Sequence, residues 1–71
     1  MTWFLLAFDR VSGQIVQLLQ FPASARDDAW SARDRLIGQY LSNPEIEVVL
    51  LGSKSEEDLR VTHARYFAKA A

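Results

Sequence analysis

Trp3-Phe4-Leu5-Leu6-Ala7-Phe8 is apolar at every position and is aromatic at both ends. Successive side chains of a strand point to opposite faces, so this stretch reads as a strand covered on both sides, the central strand of a sheet. Asp9-Arg10-Val11-Ser12-Gly13-Gln14 follows, a short loop in which Gly13 can take positive φ, and Ile15-Val16-Gln17-Leu18-Leu19-Gln20-Phe21 continues as a second strand. Together they predict a β-hairpin. A type I turn with a glycine bulge at Gly13 would oppose Arg10 to Gln14, Phe8 to Val16 and Leu6 to Leu18, with Leu5 against Leu19 and Trp3 against Phe21. Asp9-Arg10 itself reads as turn chemistry, the carboxylate bonding loop amides.

Beyond the hairpin, Pro22 ends the second strand, and Ser24 with Asp27 resembles an N-terminal cap for a helix from Ala25 to Leu41. Ser42-Asn43-Pro44 stops that helix, since proline restricts its neighbour and supplies no helical N–H. Glu45-Ile46-Glu47-Val48-Val49-Leu50-Leu51 predicts a third strand ended by Gly52. Ser55 before Glu56, Glu57 and Asp58 places a capping hydroxyl and three carboxylates at the positive end of a last helix, Glu56 to Lys69. The element order is ββαβα.

A right-handed crossover makes strands two and three parallel. Strand order 2-1-3 puts the most apolar strand in the middle with antiparallel neighbours. The expected fold is therefore α+β, a ββαβα two-layer sandwich of a mainly antiparallel three-stranded sheet with two helices on one face. The opposite face would stay open, leaving several hundred Å² of apolar surface, more than a monomer usually shows. Self-association through that face or along the edge of strand three follows, as a homodimer or higher assembly. The candidate interface is Trp3, Leu5, Leu19 and Phe21 with Val49 and Leu51; exchanging the two faces would substitute Phe4, Leu6, Phe8, Val16 and Leu18.

Length and composition bound the rest. Seventy-one residues make one small α+β domain, 1–71, with a thin core. Apolar residues at 49% and charged ones at 24% are globular proportions. A net charge of −1 gives no global attraction for phosphate. The absence of cysteine removes disulfides, thiolate metal sites and thiol nucleophiles. No signal-peptide pattern or bilayer-length apolar run occurs, which predicts a cytoplasmic chain with no membrane partner.

Few residues carry chemistry. On a helical wheel Arg26 and Arg33 fall inside the apolar arc of the first helix, set by Ala25, Ala29, Ala32, Leu36 and Tyr40. Their planar forks could hold a carboxylate or phosphate, but stems laid over the core with heads in water are the simpler reading. His63, the only imidazole, lines up with Leu59, Tyr66 and Ala70 on the last helix and reads as a packed, hydrogen-bonded residue. Glu56-Glu57-Asp58 is helix-dipole chemistry, no metal site is assigned, and the isolated glycines Gly13, Gly38 and Gly52 make no phosphate loop. No cofactor and no catalytic residue is assigned.

Phe8-Asp9-Arg10, Ser12-Gly13, Glu45 through Gly52, and Ser55-Glu56-Glu57 leading to His63-Ala64-Arg65-Tyr66-Phe67 resemble short uncharacterised hypothetical proteins of actinobacterial type. The resemblance runs nearly end to end and implies a small intracellular bacterial protein, with no activity, cofactor or site residues attached. The expectation is a non-enzymatic protein-interaction or assembly module acting as a homodimer, with helices facing outward for a further protein partner. Two alternatives stand beside it: a regulatory domain using Arg26, Arg33 and Arg35 against nucleic acid, and a small-ligand site around His63, Tyr66 and Arg33.

Overall fold

A computed structural model describes residues 1–67 of the chain. Strands β1 (Thr2–Asp9), β2 (Gln14–Pro22) and β3 (Ile46–Ser53) form one antiparallel sheet in the order β2-β1-β3. Helix α1 (Arg26–Gln39) joins β2 to β3, and helix α2 (Glu56–Thr62) follows β3. The fold is α+β with the expected strand order, and β1 is indeed central: Phe4, Leu5, Leu6 and Ala7 are at most 1% exposed.

The hairpin closes as its residues dictate, with two adjustments. Gly13 takes φ 75°, and the Asp9 carboxylate accepts from the amides of Val11 and Ser12. Leu5 opposes Leu19, Leu6 opposes Leu18 and Trp3 opposes Phe21 as expected, but the register shifts beyond Ala7, so Phe8 meets Ile15 rather than Val16 and Asp9 meets Gln14. Val16 is the extra residue of this bulge and is 52% exposed. The bulge lets the apolar Ile15 join Phe8 on the packed face while the neighbouring valine turns out.

The two helices lie on opposite faces of the sheet, so the expected two-layer arrangement with both helices on one face is not what forms. Leu5 and Ala7 pack with Ala32 and Leu36 of α1, joined by Phe21, Tyr40, Ile46, Val48 and Leu50. Phe4, Leu6 and Phe8 pack with Leu59 of α2 and with Tyr66, joined by Ile15, Leu18, Val49, Leu51 and Phe67. The physical reason is the two-sided apolar character of β1: Phe4, Leu6 and Phe8 on one side and Leu5 and Ala7 on the other both need cover, and one helix on each face supplies it.

Helix ends differ from expectation as well. A 3₁₀ turn, Ala23–Ala25, precedes α1, whose N-cap is Ala25 without a side-chain bond, so Ser24 does not cap it. The Ser55 hydroxyl does cap α2, accepting from the Asp58 amide at 3.1 Å. That helix ends at Thr62 rather than running on to Lys69: the Thr62 hydroxyl bonds back to the Asp58 carbonyl, and His63 leaves helical geometry at φ −123°, ψ 47°. A second 3₁₀ turn, Ala64–Tyr66, follows. Consecutive β-branched Val61 and Thr62 weaken the last turn, and the break lets Tyr66 swing down onto Phe8, rings 5.0 Å apart and edge to face. The expected positions of Lys69 and Ala70 lie outside the described residues.

Candidate functional site

The residues proposed for a small-ligand site are not brought together. Arg33 sits on α1, half-buried, with its guanidinium 5.3 Å from the Trp30 ring centroid and 3.3 Å from the Asp34 carboxylate. Tyr66 packs on the opposite side of the sheet. His63 is half-buried at the C-terminus of α2, its N–H bonding the Leu59 carbonyl. Among the described residues no side-chain hydrogen bond joins it to Tyr66. Arg26 and Arg35 are exposed on α1. Together with Arg33, which lies across Trp30 and beside Asp34, they gather no set of converging cations.

What Tyr66 does meet is Glu47, which sequence reasoning left unassigned. Glu47 belongs to the β3 phase that faces α2, opposite Phe8. Its two oxygens are each used: Tyr66 Oη donates to one at 3.0 Å and Arg65 to the other at 3.0 Å. The Arg65 guanidinium also lies 4.5 Å from the Tyr66 ring centroid. Burial above all, then the hydrogen bond to Glu47 and the charge of that carboxylate, push the Tyr66 phenol above its ordinary value of 10.0, against the pull of Arg65. The sequence shows a lone carboxylate in the otherwise apolar phase Glu47-Val49-Leu51, but only the packing of the last segment on that face brings Arg65 and Tyr66 to it. These contacts tie the Ala64–Tyr66 turn to β3. Among the described residues no cluster of histidine and carboxylates is assembled to hold a metal ion.

Nor do the six candidate interface residues form one surface. Trp3, Leu5, Leu19 and Phe21 face α1, whereas Val49 and Leu51 face α2; Leu5 is fully buried beneath α1. The β3 neighbour of Leu5 is Leu50, so the expected grouping of Leu5 with Val49 and Leu51 joins residues of opposite phase. In the exchanged set, Phe4, Leu6 and Phe8 are buried against α2. Trp3 lies half-buried across Gly52: a Cβ at Gly52 would sit 3.5 Å from its ring and 2.9 Å from Met1 Sδ. Its Nε1 is buried without a hydrogen-bond partner among the described residues.

The edges of the sheet are a different matter, and the ladder's hydrogen-bond phase decides which backbone groups they show. Arg10 N–H bonds the Glu45 carbonyl at 2.9 Å in the same register as the β1–β3 pairs, and the Arg10 guanidinium bonds the Pro44 carbonyl. Even-numbered residues of β1 therefore bond β3, and on β3 the odd-numbered residues bond back. Val48, Leu50 and Gly52 turn their N–H and C=O groups outward, and no hydrogen bond among the described residues takes them up. At the near end the Ile46 N–H is held by the Asn43 carbonyl at 2.9 Å. β2, the other edge, is interrupted by its bulge at Val16 and ends in Pro22, whose outward side lacks an N–H.

Beside the β3 edge, on the α1 side, Ile37, Tyr40, Leu41, Pro44, Ile46 and Val48 line an apolar groove of about 260 Å³. Leu41 is 80% exposed and Ile37 36%. A second groove of about 430 Å³ lies on the α2 side, between Gln14, Ile15 and Leu18 of β2 and Arg60, Tyr66 and Phe67. Its one cation, Arg60, is held by Glu56 at 2.7 Å and covers the Phe67 ring at 4.6 Å. No helix of the described residues is long and apolar enough to cross a membrane. No family model, curated protein or solved structure matches this chain.

Proposed function

We propose that this chain is a non-enzymatic interaction and assembly module that acts as a homodimer, with the β3 edge and the apolar groove beside it as the interface. The observation that carries the reading is the regular, uninterrupted β3 edge, which presents unused backbone groups next to exposed Ile37 and Leu41, whereas the β2 edge carries a bulge and a proline. An open edge of this kind is a ready template for strand addition. The expected interface moves accordingly from a sheet face, which both helices cover, to the strand-three edge. The same proposal places the module in the bacterial cytoplasm.

Sedimentation equilibrium from low micromolar to near millimolar concentration tests it. A species of twice 8.1 kDa is expected, and a monomer throughout overturns the proposal. Val48→Pro removes an N–H that β1 does not use, so it spares the internal ladder while blocking a partner strand. The dimer dissociation constant should rise by about 100-fold or more, equivalent to about 2.7 kcal/mol. Leu41→Glu, at an exposed position, should weaken association without unfolding the monomer.

A further inference from the structure

We infer that two copies join β3 to β3 antiparallel with the two-fold axis at Val49, giving one continuous sheet in the order β2-β1-β3-β3-β1-β2. The inference rests on the homodimer reading and fixes its geometry. A two-fold axis perpendicular to the sheet keeps the α1 faces of both copies on one side, so only residues of the same phase can oppose one another. The outward groups belong to the even phase, so any two-fold pairing must match even residues to even ones in hydrogen-bonded pairs.

The register centred on Val49 sets Val48 against the partner's Leu50 and Ile46 against the partner's Gly52, and each pair occurs twice by symmetry. Every outward-facing residue of β3 is then opposed. The Ile46 N–H stays with Asn43 and its carbonyl accepts. Shifting the axis to Leu50 sends Ile46 against Lys54, beyond the strand, and shifting it to Val48 leaves Gly52 opposite Pro44, which has no N–H. Charge favours the same arrangement. Glu45 and Glu47 lie at one end of β3 and Lys54 just past the other, so antiparallel pairing sets the acidic end of one strand beside the basic end of its partner. Glu47 would face Leu51, never a second carboxylate. On the α1 side, Ile46, Val48 and Leu50 of both copies would form one apolar strip between the two α1 helices.

The chain has no cysteine, so single-cysteine variants report the register directly. Val49 would meet its own copy as a non-hydrogen-bonded pair, with Cα atoms ~4.5 Å apart, inside the range a disulfide needs. Under mild oxidation Val49→Cys should cross-link to itself at least about ten times faster than Val48→Cys or Leu50→Cys, whose own copies would be offset along the strand. A faster Leu50→Cys or Val48→Cys homodimer overturns the Val49 axis. If Val49→Cys does not fold when reduced, mixing Val48→Cys with Leu50→Cys decides: a mixed disulfide in preference to either homodimer supports the register, and its absence overturns it. Sedimentation of the unmodified chain separates the two levels. A dimer without these cross-links removes the β3 pairing and leaves the homodimer, whereas a monomer removes both.

Discussion

The two faces of this sheet are closed by unlike means. α1 covers its face with a 14-residue helix whose contact residues, Ala29 and Ala32 with Leu36, are mostly small, so that its backbone approaches β1 closely. α2 has half that length and buries only Leu59, and the cover is completed by Tyr66 from the turn beyond it, tied down through Glu47. One face relies on spread contact along a helix; the other concentrates it in two large side chains and a hydrogen-bonded carboxylate. Short helices gain little from propensity and depend on such anchors.

Leu59→Ala should be the largest single loss on the α2 side, about 2–5 kcal/mol, because Leu59 is fully buried. Urea unfolding measures the loss and hydrogen exchange locates it: α2 amides should lose protection while α1 amides keep theirs. If Leu36→Ala releases α1 in the same local way, the contrast between the faces fails. Glu47→Ala comes next, since it leaves the Tyr66 hydroxyl without its acceptor, at about 1–3 kcal/mol in the same unfolding assay.

A pH series sharpens the comparison further. The Tyr66 phenol is held above its ordinary value by burial and by Glu47, so the folded chain binds that proton more tightly than the unfolded chain does. The stability this contributes is fully present below about pH 10, the unfolded value, and is lost as pH rises through the raised folded value. Tyr66→Phe should abolish this alkaline decline at a cost near neutrality of about 0.5–1.5 kcal/mol; a decline of equal size in the variant would show that the phenol is not its source. The smallest change belongs to the α1 face. Trp3→Phe removes a buried N–H that has no partner along with some contact area, and the opposed effects should leave the unfolding midpoint within about 1 kcal/mol of its original stability.

Strand order 2-1-3 was readable because its evidence is local: an all-apolar first strand, a glycine where the hairpin needs positive φ, and prolines at the ends of β2 and of the α1–β3 loop. Asp9 and Ser55 were readable for the same reason, since each bonds amides two or three residues away. Val16 was not. A bulge changes which residue faces inward without changing the apolar content of Ile15-Val16, so composition cannot locate it. Nor could the sequence unite Glu47 with Arg65 and Tyr66, or separate Arg33 from them, because those outcomes depend on which face each helix takes.

By itself, then, the sequence determined the elements, their order and the need of β1 for cover on both sides. Only the tertiary structure decided which helix supplies each cover, where α2 stops, and that the exposed opportunity for a partner is an edge rather than a face. The physical reason is the symmetry of β1: with Phe4, Leu6 and Phe8 on one side and Leu5 and Ala7 on the other, either side can receive either helix. With one helix seated on each face, both sides of β1 are covered, and the Glu47 carboxylate meets Arg65 and Tyr66 from the segment that follows α2.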